Sequence, residues 1–192
     1  MSIALIVGLG NPGPHYVATR HNAGFWLLDQ LVLPNQFRQE AKFFGAVSRI
    51  EQPNSSVWLL KPNTFMNRSG QAVLALAHYY RIPVEQILVV HDDLDFSPGT
   101  ARLKQGGGDG KHNGLKDIIA QLGSNQFLRL RIGIGHPGRG ASISDYVLSE
   151  PNSADQLAIT QSITAALTVM PFIIGGELDK ALRQLHTTNS NE

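Results

Sequence analysis

Ile3-Ala4-Leu5-Ile6-Val7-Gly8-Leu9-Gly10-Asn11-Pro12-Gly13-Pro14-His15-Tyr16-Val17-Ala18-Thr19-Arg20-His21-Asn22-Ala23-Gly24 reads as a buried strand, a glycine-rich turn and a polar loop. The loop ends in a histidine at the head of a helix. It offers Asn11, Tyr16, His21 and Asn22 beyond a strand end, where open α/β sheets place their ligand sites. Gly8, Gly10 and Gly13 also fit G-x-G-x-x-G, the dinucleotide fingerprint. That reading weakens at the next step. A dinucleotide turn runs directly into a helix whose N-terminus holds the pyrophosphate. Here Pro12 and Pro14 bracket the last glycine and push their preceding residues out of the helical region. Helical periodicity (Phe25, Leu27, Leu28, Leu31, Val32) starts late, and the acid sought downstream, Asp29, falls inside that helix. A tight turn needing positive φ explains Gly10 and Gly13 without a ligand.

With 192 residues and 42% hydrophobic content, the chain is most simply one domain with one sizeable core. It has no cysteine, so disulfides and thiolate metal sites are unavailable, which fits a reducing cytoplasm. The longest apolar runs read as too short to span a bilayer, and no charged segment precedes the first of them as in a signal peptide. The expectation is a cytoplasmic protein with no membrane contact.

Strands are expected near 3–8, 43–50, 57–61, 86–91, 100–104 and 127–134. Helices are expected near 22–33, 68–81, 112–122, 153–174 and 177–186. The turn signal Gln52-Pro53-Asn54-Ser55-Ser56 makes a hairpin of its flanking strands. The remaining alternation predicts an α/β fold: a single domain over 1–186, a twisted mixed and mostly parallel sheet, and helices on both faces. Met170-Pro171 should kink or split the long C-terminal helix, and 187–192 read as a disordered tail.

The net charge of +1 conceals an asymmetry. Residues 100–140 hold seven basic residues (Arg102, Lys104, Lys111, Lys116, Arg129, Arg131, Arg139) against Asp109 and Asp117, while the rest of the chain is net acidic. One basic segment on a near-neutral protein suits local docking of a polyanion, although a solvated face would look the same.

Three further segments carry polar chemistry at element ends. Lys61-Pro62-Asn63-Thr64-Phe65-Met66-Asn67-Arg68-Ser69-Gly70 joins a strand to a helix, with Asn67 where an N-cap belongs. Leu88-Val89-Val90-His91-Asp92-Asp93-Leu94-Asp95 runs a buried strand into carboxylates that lack the loop spacing of a calcium site. One of these carboxylates could instead orient a histidine. Arg102 to Leu115 is a strand with two same-face basic residues, a glycine loop without the Gly-Lys-Ser/Thr ending of a P-loop, and His112-Asn113 at a helix start. With no cysteine and no Gly-x-Ser-x-Gly elbow, the available nucleophile is a water activated by histidine, with aspartate fixing the tautomer. Neutral amides suit a peptide backbone or an oxyanion. Such a site could hydrolyse an activated ester.

Taken in order and spacing, these motifs, with Arg131-Ile132-Gly133-Ile134-Gly135-His136-Pro137-Gly138, resemble bacterial peptidyl-tRNA hydrolases over nearly the whole chain. The resemblance implies a single α/β domain that cleaves the ester between a peptide and the terminal ribose of tRNA. It implies His21 as general base, Asp92 as its orienting carboxylate, and Asn11 as the residue placing both His21 and substrate. By the same resemblance, Asn67 and Asn113 hold the peptide backbone and the water or oxyanion, and Tyr16 and Met66 line the pocket. Arg102, Lys104 and Arg131 would clamp tRNA phosphate. No cofactor, no metal and no obligate protein partner is implied, and the expected state is a monomer whose partner is peptidyl-tRNA. The chain departs from the family's Gly-Gly-His-Asn-Gly-Leu pattern at Lys111, and Gly138-Arg139-Gly140-Ala141 departs from its charged stretch. The rivals are an RNA-binding relative without hydrolysis, which would not need His21 and Asp92 together, a small-molecule esterase, which would not need the basic patch, and a nucleotide-dependent oxidoreductase, which would bind dinucleotide.

Overall fold

The computed structural model describes residues 2–52 and 55–188. The elements in chain order are β1 (Leu5–Gly8), α1 (Ala23–Leu31), β2 (Arg38–Glu40), β3 (Gly45–Gln52), β4 (Ser55–Pro62), α2 (Ser69–Tyr79), β5 (Ile87–Asp93), β6 (Ala101–Gln105), α3 (Asn113–Leu122), β7 (Leu128–Gly133), α4 (Ile143–Val147), α5 (Ser153–Gly175) and α6 (Leu178–Thr188). The strands form one seven-stranded sheet in the order β2-β3-β4-β1-β5-β7-β6. The central four, β4-β1-β5-β7, are parallel, and antiparallel partners close both sides.

β1 and the first part of β5 read as continuous apolar runs because both of their faces are covered, whereas β7 alternates Leu128, Leu130 and Ile132 with Arg129 and Arg131. Leu5 and Val7 of β1 join the core under α2 and α3, with Leu76 and Ile118, while Ile6 joins the opposite core under α1, α5 and α6. The same alternation runs along β5, where Ile87 and Val89 face one layer and Leu88 and Val90 the other. The carboxyl ends of β1 and β5 therefore emerge side by side at one end of the parallel strands, in register Gly8 to Val90.

Two short elements were not legible in the sequence. β2 is a three-residue edge strand, Arg-Gln-Glu, without apolar alternation, and α4 is only five residues long. The hairpin forms as β3 and β4, in register from Gly45–Pro62 to Gln52–Ser55, while the turn residues 53–54 lie outside the described residues. α6 continues through Thr188, past its expected end, and 189–192 lie outside the described residues.

Two expectations about the C-terminal helix need correction. α5 runs unbroken through Pro171, so the proline does not split it. Pro171 lies in the last turns, where it forfeits one backbone bond and costs about 3 kcal/mol. Ile163, Ala166, Val169, Met170 and Ile173 are buried around it, and each such apolar side chain contributes roughly 1–3 kcal/mol, so packing wins. The same helix is also long and apolar enough, by length and composition, to cross a bilayer, contrary to the reading of its runs as too short. Here its apolar stripe is spent on the sheet.

Of the two turn glycines, only Gly13 has positive φ, at 102°. Gly10 is needed for space instead, since a Cβ there would sit 2.7 Å from the Phe25 ring.

Candidate active site

The loop after β1 ends in a single 3-10 turn, Arg20–Asn22, which passes straight into α1. Gly24 lets that junction lie on the sheet: a Cβ there would come within 2.4 Å of Leu9 N and Val90 O. Asn22 fastens the loop to itself, its Oδ1 accepting from Asn11 N (2.9 Å) and its Nδ2 donating to Asn11 O (3.0 Å). His21, held between these anchors, presents Nδ1 to the Asp92 carboxylate at 2.9 and 3.0 Å. Both residues are buried.

Burial alone would favour neutral His21, but the Asp92 charge and hydrogen bond outweigh it and raise the His21 pKa above its ordinary 6.5. Burial also pushes the Asp92 carboxyl upward, yet His21 and His112 beside it hold it well below the usual carboxylate range. Asp92 is thus a fixed anion. It accepts a hydrogen bond from His21 Nδ1–H and leaves Nε2 as the basic nitrogen.

A second histidine shares that carboxylate. His112 caps α3, its Nδ1 accepting from the backbone N–H of Gly114 (3.2 Å) and Leu115 (3.4 Å). A backbone N–H only donates, so Nδ1 bears no proton, and Nε2–H is the group that meets Asp92 Oδ1 at 3.0 Å. His91 is a third, buried ring: its Nδ1 donates to Asp92 O at 2.7 Å, and burial together with His112 pushes its pKa down to about 3. Neither serves as the base: both nitrogens of His112 are engaged, and His91 Nε2, though unpaired, is buried away from water and too weakly basic at a pKa of about 3. His112 was passed over in the sequence. Its position beside Asn113 was visible, but the folding back of its ring onto a strand-end carboxylate was not.

His21, Asp92 and His112 also place three ligand-type atoms within 4.8 Å of one another, the geometry of a possible metal set. For His112 Nε2 to ligate an ion, its proton would have to move to Nδ1, at the cost of the two bonds accepted there from Gly114 and Leu115 N–H.

The dyad opens into a cleft of about 900 Å³. Every expected pocket residue lies on its wall: Asn11, Tyr16, Met66, Asn67 and Asn113. Asn11 Oδ1 accepts from Met66 N at 2.7 Å, which fixes the amide and leaves its NH2 group over. Asn67 is not an N-cap. It sits inside the 3-10 turn Met66–Arg68, exposed, and Arg68 occupies the cap position of α2. Asn113 is the exposed first residue of α3, whose cap is His112. Both amides are open to a ligand. Tyr16 packs edge-on against Phe65, which is 58% exposed at the same wall.

The register of β6 against β7 sets Arg102 opposite Arg131 and Lys104 opposite Arg129, so four basic side chains share one face. They are not equivalent. Arg131 is paired with Asp93 (2.7 Å) and Asp95 (3.5 Å) and lies over Phe96, whereas Lys104 is exposed. Lys104 and Arg131 line the cleft, and Arg102 flanks them through its register with Arg131. Lys111, which departs from the motif, takes a left-handed backbone at φ 64° and also lines the cleft. Arg20, adjacent to His21, is 6% exposed and gathers the segment after α4, donating to Ser149 Oγ (2.7 Å) and Glu150 O (3.0 Å). The turn that carries His21 is thereby tied to the far wall formed by Ile143, Val147 and Leu148.

The family model for peptidyl-tRNA hydrolase matches residues 5–192. The chain belongs to the peptidyl-tRNA hydrolase family. Among proteins of that name it is 54% identical to one from Methylobacillus flagellatus over 187 residues, covering 96% of this chain and 97% of that protein. It is 52% identical over 188 residues to one from Neisseria meningitidis, covering 97% and 98%. The crystal structure of the peptidyl-tRNA hydrolase of Acinetobacter baumannii superposes with a TM-score of 0.89 at 44% identity, covering 95% and 94% of the two chains. A peptidyl-tRNA hydrolase in complex with N-propanol superposes at 0.90 with 44% identity and the same coverage. The chain is thus a hydrolase acting on the ester bond of peptidyl-tRNA to release tRNA. The resemblance seen in the motifs, the fold class and the enzyme class all hold.

Proposed function

We propose that this peptidyl-tRNA hydrolase works by a single water activated by His21. The observation that supports it most strongly is the His21 Nδ1–Asp92 contact, which leaves Nε2 as a free base in a cleft of open amides. Nε2 takes a proton from water as the oxygen attacks the ester carbonyl. Asn113 and the NH2 group of Asn11 supply neutral donors for the oxyanion and the water. Collapse breaks the bond to the ribose oxygen, which recovers the proton from the His21 imidazolium. The products are a peptide carboxylic acid, which then ionises, and tRNA with a free hydroxyl.

Asn67 faces the peptide backbone in this reading, and Tyr16 and Met66 line the place of the peptide and terminal nucleoside. Amides that read backbone suit a substrate whose peptide varies. The step uses no metal or cofactor, because water and two protonation states of His21 complete it. We further infer a cytoplasmic monomer, as the cysteine-free composition suits a reducing compartment and the cleft is built from one chain.

The test is hydrolysis of N-acyl-aminoacyl-tRNA beside aminoacyl-tRNA with a free amine, with chelator present. Cleavage of the acylated substrate alone, at a rate indifferent to chelator, is expected. Loss of cleavage with chelator, restored by added metal, would overturn the water–histidine mechanism.

Arg102, Lys104 and Arg131 are proposed to dock tRNA phosphate without reading sequence. Arg131 is the most committed to protein partners, so Arg102 and Lys104 should carry more of the salt-sensitive binding. Replacing both with alanine should raise KM with kcat little changed and reduce the log–log salt slope by roughly one to two. A fall in kcat at unchanged KM would remove the patch from docking.

A further inference from the structure

Arg129 of β7 has no part in the mechanism above, and its surroundings are unusual for a cation. It is 3% exposed, and its guanidinium lies 4.7 Å from the centre of the Phe127 ring. Buried arginines are ordinarily matched to carboxylates. Arg129 is spent instead on two successive backbone carbonyls: Nη1 donates to Gly108 O at 2.5 Å and Nη2 to Gly107 O at 2.6 Å. The planar guanidinium suits this forked grip, whereas a lysine ammonium is a point donor.

What it grips is the segment least able to hold its own shape. Gly106, Gly107, Gly110 and Lys111 all have positive φ, and glycine-rich backbone loses the most entropy when ordered. The segment is anchored at its start by Gly106 N to Phe127 O (3.1 Å), and near its end by the turn of Asp109, which accepts from Lys111 N (2.7 Å) and His112 N (2.9 Å). Gly107 and Gly108, between those anchors, are held by Arg129. The loop then delivers His112 to Asp92 and Asn113 to the cleft.

We propose that Arg129 is a positioning residue: by holding the Gly107 and Gly108 carbonyls it sets the glycine loop so that His112 and Asn113 keep their places in the active site. The inference rests on the role given above to Asn113. It separates Arg129 from its neighbours on the basic face: Arg129 borders the same cleft, but its Nη1 and Nη2 are committed to the loop carbonyls.

Arg129→Met keeps an apolar stem over Phe127 and removes both hydrogen bonds. It should lower kcat about ten- to hundredfold, as small misplacements of catalytic groups do, with KM within about twofold and an unchanged salt slope. Amide exchange should quicken across residues 107–113 and not in β7. Arg129→Lys, which keeps the charge and can meet one carbonyl, should recover part of kcat and part of the protection, and it carries the test alone if the Met variant does not fold. A raised KM with a flatter salt slope at normal kcat would make Arg129 a docking residue and overturn the proposal. So would a lower Tm with normal kcat, or unchanged loop exchange. Asn113→Ala, measured alongside, separates the two readings. If it lowers kcat while Arg129→Met does not, only the Arg129 inference fails, and if it leaves kcat intact, the assignment of Asn113 fails first.

Discussion

His21→Ala should lower kcat by about 10³-fold or more while leaving the affinity for tRNA near that of the unaltered protein. General-base catalysis by a placed side chain is worth about 10²–10⁴, and no other group in this site can take over. His91 Nε2 is buried and its pKa is pushed down to about 3, and both nitrogens of His112 are engaged, so neither ring offers a basic nitrogen to water. Affinity should survive because the proposed phosphate contacts belong to β6 and β7 and none of them comes from the 3-10 turn. The comparison is single-turnover hydrolysis of N-acyl-aminoacyl-tRNA against tRNA binding. Parallel loss of both would remove His21 from the chemistry and make it a structural residue.

Asp92→Asn should act through the same ring in a different way. The buried amide can donate to His21 Nδ1, which favours the tautomer with its proton on Nε2 and removes the base, so the plateau rate should fall by roughly 10²–10⁴. The pH profile supplies the sign. With Asp92 ionised, the His21 pKa is raised, so kcat/KM should climb with pH as His21 loses its proton, through a midpoint above 6.5. In the Asn variant the stabilising charge is gone and burial remains, which favours the neutral ring. The midpoint of the residual activity should therefore move below 6.5 even as the plateau drops. An unmoved midpoint would show that Asp92 does not govern His21.

The order of elements was readable because β1 and β5 are apolar runs, β7 alternates apolar residues with arginine at the period of a strand, and the helices between them keep a helical period. β2 and α4 escaped because three and five residues carry no period. Pro171 misled because local propensity was weighed without the burial that surrounds it. In the candidate site, His21, Asp92 and the asparagines were marked by their places at element ends. Their spatial meeting depends on the pairing of β1 with β5, which spacing alone does not specify. The contributions of His112, Asn22, Arg20 and Arg129 were less legible still. Each acts through a bond to backbone or to a residue remote in sequence, and side chains of that kind look in a sequence like ordinary caps or surface charges.

The crossing order of the sheet bears on how the enzyme comes into being. His21 follows β1 and Asp92 ends β5, yet β5 is flanked on its other side by β7, which closes only with residues 128–133. A growing chain that has just exposed Asp92 presents β5 with an open, unpaired edge and lacks the loop and helix that bring His112 and Asn113. On the roles proposed above, a fragment that ends at β5 should be inactive. Until its synthesis ends, this chain is itself a peptide esterified to tRNA and carries the kind of bond that its finished copies cleave.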